Sequence, residues 1–90
     1  MIVNLYSIYD RKSLVYSNVF SSQNDAVAIR QFQHAVNDVN SMMSSFPHDY
    51  VLCRVGTFDN AGPLLVPEAH AFEAVCEATS VWVGFDSTPK

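Results

Sequence analysis

Ninety residues, of which 49% are hydrophobic, exclude a disordered polar tail and fit one small domain with a thin core. Five Lys and Arg against nine Asp and Glu give a formal net charge of −4, which excludes a protein that coats nucleic acid by charge alone; extensive phosphate contact uses about 6 to 10 cations. Cys53 and Cys76 form no Cys-x-x-Cys pair and have no histidine at metal-ligand spacing, so buried, reduced thiols are expected rather than a zinc or disulfide framework.

Residues 2–9 are dense in Ile, Val, Leu and Tyr with apolar residues on both alternating faces, which predicts a well-covered strand. This opening lacks a basic leader and meets Asn4 early, so neither a signal peptide nor a membrane span is expected. Asp10-Arg11-Lys12-Ser13 is a polar break before a second strand over 14–20, a hairpin with Arg11 and Lys12 projecting from its tip. Ser22, Asn24 and Asp25 are helix start signals. Ile29, Phe32, Val36 and Val39, with Ala28 and Ala35, then draw one apolar stripe along a helix over 25–39. Arg30, Gln33, His34 and Asn37 fall on its opposite side.

Pro47 ends any helix before it, and 50–58 reads as a strand. Val51, Cys53 and Val55 are expected on its core face, with Tyr50, Leu52, Arg54 and Gly56 on the other. A turn over 59–62 leads into a return strand over 63–66. Pro67, the acids that follow and four alanines predict a second helix over 68–78, its apolar face formed by Phe72, Val75 and Cys76. A strand over 81–85 and a frayed tail close the chain. The sum is one α+β domain over 1–90: a small antiparallel sheet of four or five strands packed against one or two helices, a single layer of helix on sheet.

No Gly-rich phosphate loop, nucleophile elbow or His-Glu-x-x-His run is present; His34, His48 and His70 sit in unrelated elements and the acids are scattered. No catalytic residue, metal ligand or cofactor is therefore assigned, and an enzyme is not expected. The better candidate is a binding surface. Tyr50 and Arg54 share a strand face and combine an aromatic ring with a cation, as single-stranded nucleic acid requires, with stacking worth about 1–3 kcal/mol per base. Arg11, Lys12 and Arg30 would supply the remaining cations, because Asp59, Glu68, Glu73, Glu77 and Asp86 concentrate the acids late in the chain. The alternative surface is apolar, Trp82 and Phe85, suited to an acidic adaptor that contacts another protein.

Three stretches occur in fixed order: Leu5-Tyr6-Ser7-Ile8-Tyr9-Asp10; Asn24 to Arg30 with Phe32 and Val36-Asn37; and Pro47-His48-Asp49-Tyr50-Val51-Leu52 with Gly56, Phe58, Asp59 and Gly62. Together they resemble the small nonstructural protein of gokushovirus-type microviruses, tailless phages with circular single-stranded DNA genomes, over about residues 2–66. The resemblance implies a nonstructural phage protein of the host bacterial cytoplasm. It would act in viral single-stranded DNA replication, or in the switch to packaging, by weak binding of single-stranded DNA. Arg30 is the matched residue that folding explains least, since it lies off the apolar stripe. No catalytic residue is transferred, and nothing is carried onto the segment from Glu68. A homodimer is expected, because it covers surface that one short chain leaves exposed and doubles the few cations. Under the adaptor reading the partner is instead a viral or host replication protein, or a capsid protein.

Overall fold

A computed structural model of the chain describes residues 1–62, 64–68 and 73–83. Two long antiparallel strands form its axis: β1, Ile2–Asp10, and β4, Tyr50–Asp59, run in register from Ile2 opposite Asp59 to Asp10 opposite Tyr50. Each carries short strands on its free edge. On β1 these are β2, Val15–Tyr16, and β3, Phe20–Ser22; on β4 they are β5, Leu64–Pro67, and β6, Glu73–Glu77. Every pairing is antiparallel, so the chain is an α+β fold with a six-stranded open sheet, one or two strands more than expected.

One extra strand arises from an interrupted edge. The predicted strand over 14–20 is broken because Ser17 competes with the ladder: its hydroxyl accepts from the Ile8 N–H at 2.9 Å, and its carbonyl accepts from the Ser7 hydroxyl at 2.7 Å. At the hairpin tip the Asp10 carboxylate accepts from the Lys12 N–H and the Ser13 hydroxyl, both at 2.9 Å, and Leu14 takes a φ of 63°, which ordinarily favours glycine.

Helix α1, Asp25–Val36, begins as its sequence dictates, with Asn24 accepting from the Val27 N–H at 2.9 Å and Asp25 in the first turn. It stops short of the predicted end at 39. The Asn37 amide turns back to donate to the Gln33 and Val81 carbonyls, both at 2.9 Å, and Val39 is exposed rather than part of the stripe. A short helix α2, Met42–Ser45, capped by Ser41, and a 3₁₀ turn, Pro47–Asp49, lead into β4.

The core joins Ala28, Phe32 and Val36 of α1 to Tyr6, Leu52 and Ala78, with Ile8, Phe20, Tyr50 and Cys76 packed around them. This inverts the predicted facing of β4. Ile8 is opposite Leu52 and Tyr6 opposite Arg54, so Tyr50, Leu52 and Arg54 stand on the helix-covered face. Val51 and Cys53 lie on the other face beside Tyr9 and Ser7, where they are still buried. A register shift between Leu5 and Tyr6 leaves Val55 as the extra residue of a bulge, which resets the alternation for the rest of β4.

The predicted helix over 68–78 is corrected. Glu73–Glu77 is strand β6, paired with residues Val51 to Arg54 of β4, and only Ala78–Val81 is helical, as α3. Helix propensity favours alanine by tenths of a kcal/mol per residue, whereas each buried backbone group left unpaired on β4 would cost about 1–3 kcal/mol. Residues 69–72, with His70 and Phe72, lie outside the described residues. The predicted strand over 81–85 is corrected in part: Val81 closes α3 and Trp82 and Val83 belong to no strand, while Gly84 and Phe85 lie outside the described residues.

Candidate nucleic-acid interface

Arg54 shares the strand face of Tyr50 as expected, yet that face points into the protein. The guanidinium binds three carboxylates: both oxygens of Asp25 at 3.0 and 3.2 Å, Glu73 at 2.7 Å and Glu68 at 3.3 Å. Asp25 also accepts from the Tyr6 hydroxyl at 2.6 Å, and that hydroxyl accepts from the Asn4 amide at 3.1 Å. One cation among three anions leaves a local excess of negative charge, which repels a phosphate. Arg54 is therefore a clasp tying the start of α1 to β4 and to both ends of the β5–β6 connection.

Arg11 is withdrawn in the same way. It does not project from the hairpin tip but folds back, donating to Glu77 at 2.6 Å and to the His48 carbonyl at 3.0 Å. Tyr50 is half-buried, packed against the core, and its hydroxyl is bonded to Asp10. With Ile8, Val15, Met42 and Met43 it lines a largely apolar hollow of about 310 Å³ under the hairpin. Its ring also borders a second hollow of about 260 Å³, shared with Lys12 and Phe46. The aromatic pair that solvent reaches is Tyr9 and Tyr16, with centroids 4.6 Å apart, on the sheet face away from α1.

Arg30 and Lys12 stand apart. Among the described residues the side-chain ion pairs engage Arg11 and Arg54 and leave both of these exposed cations out. Arg30, Gln33, His34, Asn37 and Asp38 line an open groove of about 630 Å³ on the solvent side of α1. The one-turn spacing of Arg30, Gln33, His34 and Asn37 puts them on one helix face. Asn37 is spent on holding α3, since its oxygen also accepts from the Val83 N–H at 2.8 Å. The donors that face solvent are thus Arg30, Gln33 and His34.

The apolar candidate is also corrected. Trp82 is half-buried against the core and donates its indole N–H to the Ser44 carbonyl at 2.9 Å, so it fastens α3 to α2 instead of presenting a patch; Phe85 lies outside the described residues. Burial pushes the Cys53 and Cys76 thiols above their ordinary range, which disfavours the reactive thiolate. No group of three His, Cys, Asp or Glu side chains among the described residues could hold a metal ion, and none of their helices is long and apolar enough to cross a membrane.

Sequence comparison places these residues in a known group. The chain is 40% identical over 58 residues to Protein ORF5 of Chlamydia phage 1, an alignment spanning 60% of each chain. It therefore covers less than two thirds of that relative's length. No solved structure matches the chain. The family model of the Phage ORF5 protein matches residues 3–81, from the second residue of β1 to the end of α3. The chain belongs to the Phage ORF5 protein family, small phage proteins of the kind its gokushovirus resemblance led us to expect.

Proposed function

We propose that this phage protein is a non-enzymatic factor of viral single-stranded DNA replication or of the switch to packaging, acting in the host bacterial cytoplasm. It binds single-stranded DNA weakly through the outer face of α1. One observation carries the reading: Arg30 is exposed beside Gln33 and His34 and outside every described ion pair, whereas Arg11 and Arg54 are held by carboxylates. Binding is weak because, among the described residues, Arg30 and Lys12 are the Lys and Arg side chains left for phosphate. Two phosphate contacts on a single strand give a slope of about −1.4 in log affinity against log salt, and a homodimer about −2.8.

The test is fluorescence anisotropy of a labelled oligothymidylate at low and at physiological salt. Arg30→Ala should abolish binding, while Arg54→Met should leave the affinity of the folded fraction unchanged. Loss of binding in the Arg54 variant but not in the Arg30 variant would overturn this site. Absence of binding at low salt would overturn the DNA reading itself. In that event the adaptor reading takes its place, favoured by the hollow under the hairpin, lined by exposed Val15 and Met42, and by the hollow beside it, lined by Met42 and exposed Phe46.

A further inference from the structure

The end of the sheet farthest from the helical core carries apolar side chains that nothing in that core covers. Ile2 is 66% exposed, Leu64 and Leu65 each 59% and Val66 46%, with Val3 and Phe58 half-buried beside them. None of these residues belongs to the core cluster or packs against it. They gather at one end because β1, β4 and β5 pair here, on both faces of the sheet: Ile2 and Leu64 flank Asp59 on one face, and Val3 and Leu65 flank Phe58 on the other.

β5 is also an edge. It pairs with β4 along one side, and its other row of backbone groups meets no described strand. Exposed edges are guarded by charge, proline or shortness; β5 is short and ends at Pro67, but Leu64-Leu65-Val66 carries no charge to keep another strand away. We infer that this end is a contact between two copies of the chain: β5 pairs antiparallel with β5 of the second copy, and the apolar side chains of both copies close over the junction.

Charge favours a second copy as the occupant. Two chains of net charge −4 repel one another except where they meet through uncharged surface, and residues 60–67 form an uncharged run in the acidic later part of the sequence. Backbone pairing supports the same assignment, because the free row of N–H and C=O groups along β5 is met in kind by the same row of a second copy. Antiparallel β5–β5 pairing uses the same edge of both copies, so the contact closes as a two-fold pair instead of growing into a filament.

Sedimentation velocity at micromolar concentrations tests the inference without DNA, so its result is separate from that of the oligonucleotide experiment. The wild-type chain of 10.0 kDa should sediment at twice its mass. Leu64→Glu with Val66→Glu should sediment as a monomer with an unchanged circular dichroism spectrum. If the glutamates unfold the chain, Leu64→Thr with Val66→Thr keeps β-propensity and decides the question by the same readout. A wild-type monomer at about 100 µM, or a dimer that survives the folded double variant, would overturn the proposal. So would a monomer whose binding to the labelled oligonucleotide the double variant abolishes, which would assign this edge to nucleic acid.

Discussion

Gly56 lets the β5 backbone lie close against β4. A Cβ placed there would lie 2.4 Å from the Val66 carbonyl oxygen and 3.1 Å from the Pro67 Cα, both backbone atoms that cannot swing aside. Gly56→Ala should therefore separate β5 from β4 and lower stability by roughly 1–3 kcal/mol, measured by urea denaturation. A shift of less than a few tenths would mean that β5 is not held at this spacing. Gly62, with open space around it, needs no such account. The sequence offered Gly56 as one residue of an alternating strand and gave no sign of this contact, because Val66 and Pro67 reach it only through pairing across the turn.

Among the elements, α1 was the most legible. Asn24, Asp25, Phe32 and Val36 do what their types and spacing dictate, and only the tail beyond Asn37 was misjudged. Strand β4 was legible as a strand but not in its facing. Alternation separates two sets of side chains, and both sets were apolar enough to be core; Tyr6 and Ile8 on β1 made the choice. The same inversion turned Arg54 from a phosphate contact into a clasp. Replacing it with Met should lower stability by about 1–2 kcal/mol, because several partly exposed ion pairs are lost together and Asp25, Glu68 and Glu73 are left to repel one another. Hydrogen exchange should quicken first in the opening turn of α1 and in β6. Stability unchanged within about 0.3 kcal/mol would reduce the clasp to an exposed ion pair.

For the molecule as a whole, pH acts through the groups whose protonation folding alters. Burial pushes the Tyr6 and Tyr50 hydroxyls above their ordinary value of 10.0, and the Cys53 and Cys76 thiols above 9.0. Raised acids contribute stability that is fully present below the unfolded value and lost as pH climbs through the folded one, so alkaline weakening should begin near pH 9. Asp10 moves the other way. The Lys12 N–H holds its carboxyl below the ordinary 3.8, so its contribution is present above that value and is lost as pH falls through it. Urea midpoints should form a plateau from about pH 5 to 8.5, and Tyr6→Phe should soften the alkaline limb. A decline already under way at pH 7.5 would contradict this assignment of groups.

The sequence by itself determined the two long strands β1 and β4, where α1 begins, the membership of the family and the scarcity of cations, because these follow from local propensity, spacing and composition. Tertiary structure decided which face of β4 is core, whether residues 73–77 are helix or strand, and which arginines are paired with carboxylates. Each of those outcomes depends on a partner brought in from elsewhere in the chain: β1 for the face of β4, the open edge of β4 for β6, and Asp25, Glu68, Glu73 and Glu77 for the arginines. Hydrogen-bond satisfaction and charge pairing across such distances outweigh the tenths of a kcal/mol that local preference supplies.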